Sequence, residues 1–203
     1  MRSLLSTLAV VALACAAGLA LGAATDHAEP RAEAGTAVRL DTAGMVDRSA
    51  WVVEGRVTQR RTVERLDGSL DTEYTLAVAQ EFLGGGAGRD SLRLPGGTRA
   101  DGSGMVVPGV PRLEVGEEVL LFLTEEASDR SLTVGLGQGR YTLLVDRDGV
   151  RRALRSGSRT ALLGRDDADG TRGNESVPYA ELIAEIEAAV NARASRGGAS
   201  NVR

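Results

Sequence analysis

Two stretches of alternating residues meet at Asp67-Gly68, and that junction constrains the fold more than any other feature. Upstream, Trp51-Val52-Val53-Glu54-Gly55-Arg56-Val57-Thr58 puts Val53, Gly55 and Val57 on one face and Glu54, Arg56 and Thr58 on the other. The pattern continues to Val63. Downstream, Tyr74, Leu76 and Val78 alternate against Thr75 and Ala77 within 71–82. A period of two is that of a half-buried strand, and Asp-Gly between two such runs signals a hairpin. The chain is therefore expected to be built on a hairpin with two long arms.

Further strands follow at short spacing. Gly84-Gly85-Gly86 ends the hairpin, and Asp90-Ser91-Leu92-Arg93-Leu94 forms a third strand stopped by Pro95-Gly96-Gly97. Val119-Leu120-Leu121-Phe122-Leu123 is apolar without alternation. Continuity of that kind means burial on both faces, hence a central strand. Residues 132–136 and 141–145 are expected as strands joined across Gly137-Gln138-Gly139, and Asp146-Arg147-Asp148-Gly149 as a turn into a strand at 150–154. Residues 40–48 suit one short helix, although Gly44 weakens it. Residues 164–175 read as a polar loop. After Pro178, the residues Tyr179, Leu182, Ile183, Ile186 and Val190 recur at helical spacing to about Ser195, with acids early and Arg late as the helix dipole favours. That apolar stripe is expected to dock on the strands rather than on a membrane, since a membrane-surface helix would carry more Arg on its polar face. The expected class is mainly β: an OB-like antiparallel barrel with a short N-terminal helix and a C-terminal amphipathic helix.

The start of the chain reads as an address. Arg2 is followed by the apolar run LLSTLAVVALACAAGLAL, then by Gly22-Ala23-Ala24 before polar Thr25-Asp26-His27. A basic start, an apolar run and a small-x-small exit are the marks of a secretory signal peptide. Cleavage is placed between Ala24 and Thr25. A lipid-modified Cys follows a Leu-small-small triplet. Here Ala12-Leu13-Ala14 precedes Cys15 and apolar residues follow it, so lipidation at Cys15 is disfavoured. The expected organisation is a signal at 1–24, a polar linker at 25–38, the barrel at 39–160, and a polar loop with the terminal helix at 161–203. The expected destination is secreted or periplasmic, with no stable membrane span after cleavage.

Composition removes several chemistries. Among 203 residues the only His is His27, the only Cys is Cys15, and every basic residue is Arg. Lys Schiff-base chemistry, a P-loop Lys, a Ser-His-Asp triad, a His-rich metal site and a disulfide framework have no material in the body of the chain. Net charge is −4 with Arg and acids interspersed, and six aromatics are present. Nucleic acid wants a concentrated basic face and stacking rings, so it is not an expected partner.

Four segments, Ser49 to Val57, Tyr74 to Gly84, Leu92 to Gly97 and Val115 to Leu123, resemble in this order a group of uncharacterised secreted bacterial proteins. At greater distance they resemble the OB-fold of the netrin-like module and the tissue inhibitors of metalloproteinases. The resemblance spans roughly residues 40–145. It implies an antiparallel barrel and does not by itself imply a function. The inhibitors chelate the protease zinc through an N-terminal Cys and use disulfides. A chain beginning near Thr25 has no Cys, so that mechanism does not carry over. The second segment also ends Phe82-Leu83-Gly84, without the usual Lys.

Candidate chemistry is sparse. Asp146-Arg147-Asp148-Gly149 and Asp167-Ala168-Asp169-Gly170 both contain D-x-D-G. Aligned as calcium loops, however, their first positions are Leu144 and Arg165 and their twelfth Arg155 and Ser176, so both read as turns. Gly135-Leu136-Gly137-Gln138-Gly139 is followed by strand-like residues and reads as a bend rather than a nucleotide loop. The adjacent acids Glu117/Glu118 and Glu125/Glu126 point to opposite faces of a strand and do not converge. The 98–118 segment is the best candidate: a long loop with an apolar tip, Met105-Val106-Val107-Pro108, flanked by Arg112 and Glu114. The competing reading has Val106 and Val110 closing one end of the barrel. The expected role is a secreted, non-enzymatic domain without cofactor or metal, binding an unidentified protein through 98–118. A non-chelating inhibitor of a secreted metalloprotease and an envelope carbohydrate-binding module are the alternatives. Mass spectrometry of the exported protein is expected to find an N-terminus at Thr25; retention of residues 1–24, or a lipid on Cys15, would contradict the assignment.

Overall fold

A computed structural model describes residues 36–84, 88–124, 130–155, 161–163 and 175–199. The signal segment with Cys15, Ala24 and Thr25, most of the linker, the Glu125-Glu126 pair and the Asp167-Gly170 turn lie outside the described residues. The elements, in order, are β1 (Thr36–Val38), α1 (Thr42–Arg48), β2 (Trp51–Glu64), β3 (Leu70–Leu83), β4 (Ser91–Pro95), β5 (Gly97–Thr98), β6 (Gly104–Met105), β7 (Glu118–Leu123), β8 (Arg140–Val145), β9 (Arg151–Arg155), β10 (Ala161–Leu163), β11 (Glu175–Pro178) and α2 (Tyr179–Ala199). The protein is mainly β, with a short helix near one end and a long helix at the other. Seven strands form one antiparallel sheet in the order β11-β9-β8-β7-β2-β3-β4. The sheet is open: among the described residues no ladder joins β4 to β11. β1 pairs in parallel with β10, so the end of the expected linker is itself a strand.

The Asp67-Gly68 hairpin forms with arms of 14 residues each, and Gly68 takes a left-handed φ of 78°. Its register slips between Val52 and Val53, between Glu54 and Gly55, and between Val57 and Gln59. Bulges of this kind raise local twist and bend a sheet. Gly55 sits at one slip, where a Cβ would lie 2.8 Å from the Ala77 carbonyl oxygen, so only glycine lets the arms approach this closely.

Alternation on β2 and β7 feeds two separate cores. Val52, Leu120 and Phe122 face one side, together with Tyr141, Leu143 and Ala153 from β8 and β9, and are covered by Met45 and Val46 of α1 and Leu182 and Ile186 of α2. Trp51, Val53, Val57, Val119, Leu121 and Leu123 face the other side, with Tyr74, Leu76, Leu92, Leu94 and Leu113. The stripe of the terminal helix is thus docked on the sheet. Arg193 on α2 donates to the carbonyls of Val46 (2.6 Å) and Ser49 (2.7 Å), satisfying the orphan C-terminal end of α1. Asp41 caps the other end of α1 by accepting from the Gly44 N–H at 2.7 Å, which accommodates the glycine in this short helix.

Two sequence expectations change. Residues 132–136 do not form a strand; they contribute one bridge, Thr133 to Leu123, before a 3-10 turn at Leu136–Gly139. Gly135 and Leu136 both adopt positive φ (62° and 61°), which ends any extended run. Glu54, placed by alternation on a polar face, is buried, because the helices cover that face of β2 here.

Asp71 is fully buried near the hairpin tip. Its carboxylate accepts from Arg65 Nη1 at 3.1 Å and from Arg130 Nε at 2.7 Å. Removing one partner of a buried pair strands the others. Asp71→Ala is expected to lower stability by about 3 kcal/mol, read as a shifted urea midpoint at unchanged slope; a midpoint equal to wild type would contradict this account.

Candidate functional site

The 98–118 segment is not a slack loop. β5 and β6 pair as a miniature hairpin at its start. Arg99 ties that hairpin to the β2–β3 tip, donating from Nε (3.2 Å) and Nη2 (2.9 Å) to the two Glu64 oxygens and from Nη2 to the Gly68 carbonyl at 3.2 Å. A bidentate guanidinium–carboxylate pair fixes direction as well as distance. These bonds hold the Glu64 carboxyl below the usual carboxylate range. At the far end Leu113 is fully buried in the second core, and the Gly116 N–H donates to the Val57 carbonyl at 2.8 Å.

Between these anchors lie the sequence-predicted contact residues. Val106 is 91% exposed and Pro108 is exposed, whereas Met105 and Val107 are half-buried. Val110 packs against the second core. Val106, by contrast, packs on neither core. Met105, Val106, Val107 and Val110 line a groove of about 370 Å3 together with Tyr74, Leu94 and Pro95. Arg112 and Glu114 are exposed beside it and pair at 3.2 Å; Arg60 reaches the same Glu114 at 2.6 Å. Of the six predicted residues, Met105, Val106, Val107 and Arg112 line this groove, Glu114 is tied to it through Arg60 and Arg112, and Pro108 is not among its lining residues.

The adjacent acids do not converge. Glu117 accepts from Arg140, from Thr142 Oγ1 at 2.7 Å and from the Glu114 N–H at 3.0 Å. Glu118 instead pairs with Arg56 and with Arg151 (3.3 Å). Asp146 makes the expected turn, its Oδ1 accepting from the N–H groups of Asp148 (3.0 Å) and Val150 (2.9 Å). Among the described residues no group of three or more His, Cys, Asp or Glu is placed to hold a metal ion. Also among them, no helix is long and apolar enough to cross a membrane.

Sequence reading missed two polar assemblies on the helix side. One is Glu54 with Arg151 (2.7 Å) and the Tyr179 hydroxyl (2.6 Å), the guanidinium lying 4.1 Å from the Tyr179 ring centre. The other surrounds Arg155 and Tyr141 in a concavity beside α1. Each is assembled from segments far apart in the chain, so no local spacing announces it. Compared with protein-family models and with curated proteins, the sequence matches none.

Burial and the hydrogen bond to Glu54 push the Tyr179 hydroxyl up to about 12. A raised value means the folded state holds the proton more tightly, so this contribution is full below pH 10 and is lost as pH rises towards 12. Tyr179→Phe leaves Glu54 one donor short and is expected to cost about 1–3 kcal/mol. It should also remove the corresponding loss of stability between pH 10 and 12. Equal denaturation curves for variant and wild type at pH 7 would contradict this role.

Proposed function

We propose that this chain is an exported, non-enzymatic binding domain whose contact surface is the 98–118 segment. One observation carries the reading: Val106 stands almost wholly in solvent on a segment that is anchored at both ends. An apolar side chain held out by a braced backbone loses little conformational freedom on binding, so the cost of association falls. The surrounding groove adds apolar area, and Arg60, Arg112 and Glu114 form a polar rim, the usual anatomy of a protein contact.

The scaffold is read as an OB-like barrel in its β2-β3-β4-β7 half. Two contacts support closure. The Ser131 N–H donates to the Arg93 carbonyl on the outer edge of β4 at 3.0 Å. The same segment meets β7 through the Thr133–Leu123 bridge and the bond from the Thr124 N–H to the Leu132 carbonyl at 2.8 Å. That arrangement is in keeping with the netrin-like resemblance, and it makes a secreted protease the first partner class to try. Chelation by cysteine plays no part, and the contact is made by loop insertion.

Affinity capture with tagged residues 25–203 from the secreted proteins of the source organism, with and without chelator, tests the proposal. The expected result is a stoichiometric protein partner that is lost when 105–108 is replaced by Gly/Ser or when Val106→Asp is introduced, with circular dichroism unchanged. A partner retained by both variants would overturn the assignment of the surface. An empty eluate together with retention on envelope polysaccharide would overturn the protein-binding reading itself.

A further inference from the structure

The groove beside the 98–118 segment carries charge of one sign in its lining. Two guanidiniums, Arg60 and Arg112, line it, and no acid does. Both reach a single carboxylate next to the groove. Glu114 Oε2 lies 2.6 Å from Arg60 Nη1, and Glu114 Oε1 lies 3.2 Å from Arg112 Nε. Two cations against one anion leave a positive charge in excess. The group is open to a partner, since the side chains of Arg112 and Glu114 are each 62% exposed. Two guanidiniums carry about ten N–H donors and one carboxylate accepts about four hydrogen bonds, so donors remain for a second acid.

The backbone that carries Glu114 is fixed. Its N–H donates to Glu117 Oε2 at 3.0 Å, and its carbonyl accepts from the Glu117 N–H at 3.0 Å. The charges at the other end of the groove are too distant to cancel the excess. There Arg99 pairs with Glu64 at 2.9 Å, and Asp101 lies beside it. Glu64 is four residues along β2 from Arg60, about 13 Å in a strand. Screening in physiological salt acts over about 8 Å.

We propose that this groove receives an acidic segment of a partner protein: an Asp or Glu side chain flanked by small aliphatic residues. The carboxylate meets Arg60 and Arg112, and the aliphatic side chains lie against Leu94, Met105, Val107 and Val110. A groove of about 370 Å3 is at the small end for a binding site, which limits the flanking residues to small ones. Glu114 competes from within the chain for the same two guanidiniums. This rests on the reading of 98–118 as the contact surface and adds the chemistry of what it contacts.

NMR titration of the exported protein with three capped tripeptides tests this: acetyl-valyl-glutamyl-valine amide and its glutaminyl and lysyl counterparts. The glutamyl peptide is expected to shift amides between 105 and 112. It should bind about fivefold tighter than the glutaminyl peptide, the margin of an exposed ion pair, with the lysyl peptide weakest. Raising NaCl from about 0.05 to 0.5 M should remove most of that preference. Glu114→Gln releases both arginines and is expected to tighten the glutamyl peptide about fivefold while leaving the glutaminyl one unchanged. A merely structural role for Glu114 would move both peptides alike. Arg60→Gln combined with Arg112→Gln should abolish the preference; if that variant does not fold, Glu114→Gln decides alone. Equal binding of the glutamyl and glutaminyl peptides, or an unchanged preference in Glu114→Gln, would overturn the acidic-segment proposal and leave the contact surface standing. No shift from the glutamyl peptide at about 10 mM would also overturn it, while capture with Val106→Asp judges the surface separately.

Discussion

β7 and the first half of β2 are buried on both faces, and the rest of the molecule is arranged to cover them. Val52, Leu120 and Phe122 point one way, while Trp51, Val53, Val57, Val119, Leu121 and Leu123 point the other. A strand pair that is apolar on both sides needs two covers. On one side the helices supply it: Leu182 and Ile186 press on Phe122's face, and α1 is pinned there through Arg193. On the other, the slipped hairpin brings β4 inward and Leu113 is drawn down as a plug. Burial of Leu113 is what forces the 98–118 segment to return across the surface instead of trailing into solvent. The position of the candidate contact residues is thus a consequence of core packing.

An all-arginine complement of cations shapes the surface as strongly as the apolar pattern shapes the interior. Several carboxylates are shared by two guanidiniums: Asp71 by Arg65 and Arg130, Glu73 by Arg61 and Arg93, Glu118 by Arg56 and Arg151, Glu114 by Arg60 and Arg112. A guanidinium offers several fixed donors, so one acid can join two elements without either cation losing its other contacts. Glu73 illustrates the electrostatics, its carboxyl held below the usual range by the Arg93 and Arg61 hydrogen bonds. The exposed pairs contribute little each. Asp71, fully enclosed, differs in kind, because its charge is compensated inside the protein by Arg65 and Arg130.

Features written as local periodicity were legible in the sequence. The long hairpin, the central strand at 118–123, the β8–β9 turn and the terminal helix all follow from spacing within about twenty residues. Residues 132–136 misled, because Leu-Thr-Val alternates like a strand while Gly135 and Leu136 at positive φ break it. Glu54 misled for another reason: its partner Tyr179 lies 125 residues away, and alternation reports which face a residue occupies, not what later covers that face. The candidate contact site was legible because an apolar tip inside a Gly- and Pro-rich stretch is a local signal. The Arg155 concavity was not, since α1, β8, β9, β11 and α2 each supply only one or a few of its residues.

The central claim is that 98–118 is a braced segment presenting a preformed contact surface. Amide hydrogen exchange on the free protein, read residue by residue by NMR, tests it most directly. The amides of Gly102, Val110, Gly116 and Glu117 donate to Arg99, Val107, Val57 and Glu114 carbonyls and should be protected, while Val106 exchanges quickly. Uniformly fast exchange across the whole segment would mean the surface forms only on binding, and would contradict the account.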